Sequence, residues 1–376
     1  MKMKKFSALA AATAVALTLS ACGGNADGSK ATNQAATEAT SAAASNSGSG
    51  VSGTINGSGA SSQVNAQQAW RDGFQAKESG VTVNYESTGS GTGREQFLAG
   101  DVSYAGSDSI FKAEERAQVG KNNQCASDVM LELPVYISPI AIAYNLPGVE
   151  ELNLKSETVA KIFDQKITKW NDAEIAAANP GVELPDLDII PVNRSDDSGT
   201  SENFQQYLAE AAPSAWTYEP SDTWPVTGTQ SGQGTSGVVT LASSTEGAIT
   251  YADYSQIKSL KAAKVSVGDD FVGPTPEAAA AIVDGSPATE DATDTRLTVE
   301  LVRDGSIKDA YPVVMISYLA ACQQYKDANT ASLVKEFFTY VVSEEGQKYA
   351  AEANGGNAPI SDTLRKEAQA AIDTIK

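Results

Sequence analysis

Histidine is missing from all 376 residues, and that absence excludes more than any other feature of the chain. It removes the usual general base near neutral pH, the Ser-His-Asp arrangement and the commonest zinc ligand. Positive charge is also short: 27 Lys and Arg stand against 47 Asp and Glu, a formal net charge of -20. A chain this acidic has no basic face with which to neutralise a nucleic-acid backbone. Aromatic residues make up only 7% and cysteines number three. Beyond the N-terminus no apolar run is long enough to span a bilayer. What is present is ordinary for a globular protein, with 41% hydrophobic and 20% charged residues. The length predicts two domains or one large one, at roughly 100–200 residues each. The composition favours binding over catalysis, without cofactor or metal.

The N-terminus has the pattern of an export signal. Lys2, Lys4 and Lys5 form a positive start, and Phe6 to Leu19 is an apolar stretch too short to cross a bilayer comfortably. It closes on Leu19-Ser20-Ala21-Cys22-Gly23, which resembles the bacterial lipoprotein signal. Residues 1–21 are therefore expected to be removed and Cys22 to become the lipidated N-terminus. A secretory signal followed by an incidental cysteine is the plainer alternative. Residues 22–52 are almost wholly Gly, Ala, Ser, Thr, Asn and Gln, with no aromatic, and read as a flexible tether. A segment of that length reaches on the order of 30 Å. The expected location is extracytoplasmic, on the cell membrane. Two cysteines remain, Cys125 and Cys322, and in an oxidising compartment an even count suggests one disulfide. Two separately buried thiols are the alternative.

The body alternates strand and helix. Val81 to Tyr85 reads as a strand, followed by the turn Gly89-Ser90-Gly91-Thr92-Gly93 and a short helix from Arg94 to Ala99. Val102 to Ala105, Pro134 to Asn145, Ile189 to Val192, Ala248 to Tyr251 and Tyr311 to Ile316 are further strands. Ser156 to Phe163 is an amphipathic helix with Val159, Ile162 and Phe163 on one face. A helix begins near Glu202, and Leu333 to Ala350 reads as one long helix. Alternation of this kind implies α/β, with helices on both faces of each sheet.

Three loops rich in Gly, Ser and Thr each precede a helical segment: residues 57–62, 89–93 and 196–201. Helix N-termini present unpaired N–H groups and partial positive charge, and so hold anions. Glycines allow close backbone approach and hydroxyls add donors. Any one of these loops reads equally as an N-capped helix after a turn; none is a Walker loop, because no Gly-Lys-Ser/Thr follows. Arg194 stands before the third and can clamp an oxyanion bidentately. Residues 231–237 read as a structural turn, with an approach to the anion loops as the alternative, the four tryptophans as packing, and the acids between Asp284 and Asp294 as a solvated loop without EF-hand order.

Thr88 to Phe97, Asp101 to Asp108, Val159 to Phe163, Ile167 to Asp172, Asn179 to Pro185 and Arg194 to Ser201 together resemble the phosphate-binding proteins of phosphate ABC importers, the PstS family. The resemblance covers nearly all of residues 53–376. It implies the two-lobed periplasmic-binding-protein-like fold (type II), each lobe a mixed sheet flanked by helices, with one inorganic phosphate in the cleft. Residues 53–144 plus 315–376 would form the first lobe and 145–314 the second. By pattern, Ser61, Ser62, Ser90 and Asp108 would line the cleft from the first lobe, and Arg194, Asp196, Ser198, Gly199 and Thr200 from the second. The first loop departs from the family's usual Thr followed by Phe, which changes the wall at Ser62. Asp197 replaces a commoner glycine and is expected to face outward. The implied partners are phosphate, the permease subunits and, through the lipid anchor, the membrane. The chain is expected to act as a monomer.

An acidic protein that binds an anion must do so by local geometry, because surface charge is screened beyond a Debye length of about 8 Å. Asp108 then has a reason to be present. Phosphate near neutral pH keeps a proton that it can donate to a carboxylate, whereas sulfate has none and would face it as a second acceptor. Without the resemblance, Asp108 reads as readily as a helix cap. Alternative functions are a binder of another tetrahedral oxyanion such as sulfate, a surface phosphatase with Ser90 or Ser198 as nucleophile, or an adhesin with no ligand.

Overall fold

A computed structural model describes residues 50–354 and 356–376. The expected signal segment, Cys22 and the tether as far as residue 49 lie outside the described residues.

The first half of the body runs β1 (Gly53–Gly59), α1 (Val64–Lys77), β2 (Val81–Glu86), α2 (Ser90–Ala99), β3 (Tyr104–Ser107), α3 (Ala113–Arg116) and β4 (Met130–Tyr144). There follow β5 (Asn153–Leu154), α4 (Ser156–Phe163), α5 (Ala173–Ala178), β6 (Ile190–Arg194), α6 (Gly199–Ala211), β7 (Gln230–Gly232), α7 (Gly234–Ser244) and β8 (Ala248–Asp253). Short strands β9 (Lys261–Ala262), β10 (Lys264–Val267) and β11 (Asp270–Val272) lead to α8 (Pro276–Asp284). The chain ends with β12 (Val314–Cys322), α9 (Ala328–Val342), α10 (Glu344–Asn354) and α11 (Asp362–Asp373).

The sheet order is β2-β1-β3-β12-β4-β8-β6-β7. β4 joins the two lobes because it changes partner part-way along. Its first part, through Pro139, pairs antiparallel with β12, and from Ile140 onward it pairs antiparallel with β8. Its length and near-continuous apolar sequence follow from being covered throughout, and all its residues are buried. In the first lobe β2, β1 and β3 are parallel, and in the second β8, β6 and β7 are parallel. Parallel open sheets place their binding crevice at the C-terminal strand ends. Here those ends are Gly59, Glu86, Ser107, Arg194, Gly232 and Asp253, and each of the three Gly/Ser/Thr-rich loops leaves from one of them.

Packing follows the sequence pattern. Val159, Ile162 and Phe163 of α4 are fully buried, as are Trp70 and Trp170, with Trp216 nearly so. Burying a side chain of this size is worth about 1.5–3 kcal/mol. Phe163, Phe204, Trp224 and Tyr251 form an aromatic stack in the second lobe, with Phe204 and Tyr251 centroids 4.6 Å apart. Cys125 and Cys322 form a disulfide with Cα atoms 5.3 Å apart, tying the loop after α3 to the end of β12.

Some elements differ from the sequence reading. α2 starts at Ser90, so most of the predicted turn is the helix's first turn. Glycine costs about 1 kcal/mol inside a helix, but a Cβ on Gly91 would lie 2.5 Å from the Cβ of Asp197, so no larger residue fits there. The long C-terminal helix is two. Ser343 breaks it with ψ of 154°, its hydroxyl accepting from the Gly346 N–H and donating to the Tyr340 carbonyl. The last strand begins at Val314 rather than Tyr311. Residues 289–299, counted with the second lobe from sequence, lie along the first part of β4. The Glu132 N–H donates to the Thr295 carbonyl, Leu297 donates to that of Glu132, and the Arg296 guanidinium pairs with the Glu132 carboxylate at 3.0 Å. Among the described residues no helix is long and apolar enough to cross a membrane, and no cluster of His, Cys, Asp or Glu is arranged to hold a metal.

Candidate functional site

Four helix N-termini meet between the lobes. α1 enters through Ser61-Ser62-Gln63 and α2 through Ser90, while α6 enters through Ser198-Gly199-Thr200 and α7 through Gly234-Thr235. Asp108, just past the end of β3, is the point where three of them touch. Its Oδ1 accepts from the Ser62 hydroxyl at 2.6 Å and its Oδ2 from the Thr200 hydroxyl at 2.8 Å. Its backbone N–H donates to the Ser90 hydroxyl at 3.1 Å, and its carbonyl accepts from the Asn203 amide at 2.7 Å. Asp108 is 3% exposed and Ser62 fully buried, so the arrangement is dry. The lobes are in contact here: a Cβ on Gly199 would fall 2.8 Å from that of Asp108, which is why the first residue of α6 has no side chain.

The positive charge comes from the other side. Arg194 ends β6, 3% exposed, with its N–H held by the Tyr251 hydroxyl at the top of the aromatic stack. Its Nε and Nη2 donate to the Asp196 carboxylate at 2.8 and 2.5 Å, which takes two of the five guanidinium donors. Nη1 is turned toward the Thr200 hydroxyl, 3.5 Å away and beside Asp108. Burial works against charge on Asp196, but the Arg194 guanidinium and the Gly234 N–H outweigh it and hold this carboxyl below its ordinary range. Asp196 therefore orients Arg194 and offers no donor of its own. Ser198 caps α6, its hydroxyl accepting from the Ser201 N–H at 3.2 Å. Asp197 is exposed, as its position suggested.

Ser61 completes the ring from the first lobe. Its hydroxyl lies 3.0 Å from that of Thr235 and accepts the Thr235 N–H. All nine residues singled out from sequence thus occupy one interlobe network. A cavity of about 340 Å³ adjoins it on the far side of Asp108, walled by Glu202, Glu210 and Glu300 among others. No cation lines that cavity, so its chemistry is wrong for an anion. The positive charge lies instead on the Thr200 side of Asp108, where Arg194 Nη1 approaches the Thr200 hydroxyl that bonds Asp108 Oδ2.

The chain matches the PBP superfamily domain over residues 29–345. It is 33% identical to phosphate-binding protein PstS 2 of Mycobacterium tuberculosis, with 98% of this chain and 97% of that protein covered. The chain belongs to the PstS family. Phosphate-binding protein PstS 3 of Mycobacterium leprae is 32% identical, with 100% of each chain covered. Among solved structures, a high-affinity periplasmic phosphate-binding protein (PfluDING) bound with phosphate superposes with a TM-score of 0.68 at 22% identity. The match spans 85% of this chain and 93% of that one, and it supports the two-lobed fold.

Two contributors to the network, Gln256 and Ser317, escaped sequence reasoning, and a third, Thr235, takes the alternative that its loop left open. Thr235 belongs to a loop read as a structural turn, yet it contacts Ser61 across the lobes. It lies in the first turn of α7, and the Gly/Ser/Thr-rich stretch around it was the available signal. Gln256, in a short turn after β8, donates its side-chain amide to the carbonyls of Ser61 and Ser62 at 3.0 and 2.9 Å. Ser317 sits in the apolar strand β12 and donates to Asp108 Oδ1 at 2.5 Å. A lone hydroxyl in a buried strand was its only mark.

Proposed function

We propose that this protein captures inorganic phosphate outside the cytoplasm and delivers it to the permease of an ABC importer, making and breaking no covalent bond. The observation that supports this best is that an arginine and a carboxylate from opposite lobes, Arg194 and Asp108, approach the same buried Thr200 hydroxyl. Arg194 and the N-terminus of α6 would hold the anion's charge, with Ser61, Ser62, Ser90, Ser198, Gly199 and Thr200 forming the surrounding shell and Asp196 holding Arg194 in place. Asp108 would accept the proton that phosphate retains and sulfate lacks. Charge-assisted bonds of this kind are roughly twice as strong as neutral ones, which offsets the acidic surface.

The chain would act as a monomer with residues 1–21 removed, lipid on Cys22, and residues 22–52 as tether. Lobes of 53–144 with 315–376, and of 145–314, belong to the same reading, and the change of partner in β4 supports a crossing near that boundary. Cys22→Ser should then release the protein into the medium, because no second membrane affinity remains; tight membrane association of that variant in cell fractionation would refute the anchor.

Calorimetric titration with phosphate and with sulfate at equal ionic strength tests the function. One phosphate per chain is expected, with sulfate weaker by about a hundredfold or more, as hydrogen-bond-reading sites discriminate. Absence of phosphate binding, or equal affinity for sulfate, would overturn it.

A further inference from the structure

Behind Asp108 runs a chain of buried side chains that begins at Gln63, the residue capping α1, and leads away from the cleft. Gln63, Gln67 and Ser317 are all fully buried. The Gln67 amide donates to Gln63 Oε1 at 2.9 Å, and Gln63 Nε2 donates to the Ser317 hydroxyl at 2.6 Å and to the Tyr318 carbonyl at 3.1 Å. A carbonyl can only accept, so the group facing Tyr318 must be the amide NH2. That fixes the orientation of Gln63. Ser317 then receives an N–H, and its own proton is directed at the neighbouring acceptor, Asp108 Oδ1.

The two oxygens of Asp108 are consequently unequal. Oδ1 takes two hydroxyl protons, from Ser62 and Ser317, and Oδ2 takes one, from Thr200. A carboxylate oxygen has room for about two such bonds. Oδ1 is full, and Oδ2, on the side facing Arg194 and Thr200, keeps an open acceptor position.

We propose that Ser317, aligned by Gln63, is a positioning residue for anion selectivity: it saturates Oδ1 and leaves Oδ2 as the single atom that reads the ligand's proton. The inference rests on the reading of Asp108 given above. Without the Ser317 hydroxyl, Oδ1 regains an open position and the carboxylate is no longer held with Oδ2 toward the ligand, so phosphate loses a bond that sulfate never makes. Selectivity then falls, although neither Ser317 nor Gln63 touches the anion.

The test is competition titration of inorganic phosphate against sulfate on the full chain, comparing wild type, Ser317→Ala, Gln63→Met and Asp108→Asn. Ser317→Ala changes little volume and keeps the strand. It should lower the phosphate-to-sulfate affinity ratio about tenfold, the equivalent of one hydrogen bond to a charged group. Gln63→Met removes the same alignment and should move the ratio in the same direction. A role in structure alone would weaken both anions together. An unchanged ratio in Ser317→Ala, or equal loss of both anions, overturns the proposal. If Asp108→Asn still lowers the ratio in that case, only the relay fails; if Asp108→Asn leaves it unchanged, the proton-reading role of Asp108 fails with it.

Discussion

The two walls of the cleft are chemically unlike. The first lobe offers hydroxyls and a carboxylate, Ser61, Ser62, Ser90 and Asp108, and its nearby cation is already spent. Arg94 on α2 is 2% exposed and paired with Glu115 at 3.1 Å and with Asp222 of the second lobe at 2.9 Å. Both lobes present helix N-termini, but the second also offers Arg194, whose partner Asp196 leaves part of the guanidinium for another anion. Two buried arginines therefore do different work. One is a latch whose charge is neutralised by the protein, and the other is held ready. If the proposed reading holds, charge recognition by Arg194 and proton recognition by Asp108 sit on opposite lobes.

Breaking the latch should have the largest effect on folding. Arg94→Met leaves two carboxylates without their counter-charge, and removing one partner of a buried pair costs about 3–5 kcal/mol. The exposure of Glu115 and Asp222, 18% and 15%, places the expected loss at the lower end of that range. Denaturant unfolding would measure it, and a loss below about 1 kcal/mol would mean that water already screens the pair.

Arg194→Ala should show the opposite balance, a small change in folding and a large one in binding. Truncating a buried charged partner costs about 2–5 kcal/mol, roughly thirtyfold to several-thousandfold in phosphate affinity. Calorimetry giving less than threefold would mean that another cation holds the ligand.

A pH-dependent effect of at most similar size lies at Asp253, opposite the point where β4 changes partner. Asp253 ends β8 and accepts from the Tyr136 hydroxyl at 2.9 Å and the Ser255 N–H at 3.0 Å. Burial pushes its carboxyl from 3.8 up to about 6, with Asp108 adding repulsion and the hydroxyls opposing it. An acid raised in the folded state binds its proton more tightly there, so stability is lost as pH rises through this window and the loss is complete above about 6. Asp253→Asn should remove that penalty, gaining up to about 3 kcal/mol over wild type between about pH 4 and 6. Asp196, held low, works in the reverse direction, so the difference between the two proteins is the quantity to follow by thermal unfolding. A difference that does not change with pH would remove Asp253 from the account.

Much of this was legible before the structure. Ser156 to Phe163 announced its helix through a single apolar face, and the loops at 89–93 and 196–201 announced a cleft through glycine and hydroxyl content. What was hidden depended on distant partners. Gly91 looks like a turn residue because its use, admitting Asp197 from the other lobe, lies more than a hundred positions away in the chain. Ser343 splits a helix through a local hydroxyl bond that an apolar pattern does not reveal. Gln256 and Ser317 matter through a carbonyl and a carboxylate brought together only by the fold.

The division between the lobes is tested most directly by measuring phosphate and sulfate affinities side by side for wild type, Arg194→Ala and Asp108→Asn at equal ionic strength. Removal of Arg194 takes away charge that both anions use, so both affinities should fall together and their ratio should stay within about threefold. Asp108→Asn keeps the volume but replaces an acceptor-only group by one that can also donate. Its phosphate-to-sulfate ratio should fall by about tenfold or more, chiefly through gained sulfate affinity. An unchanged ratio in Asp108→Asn, or a ratio that shifts as much in Arg194→Ala, would contradict the separation of charge and proton recognition.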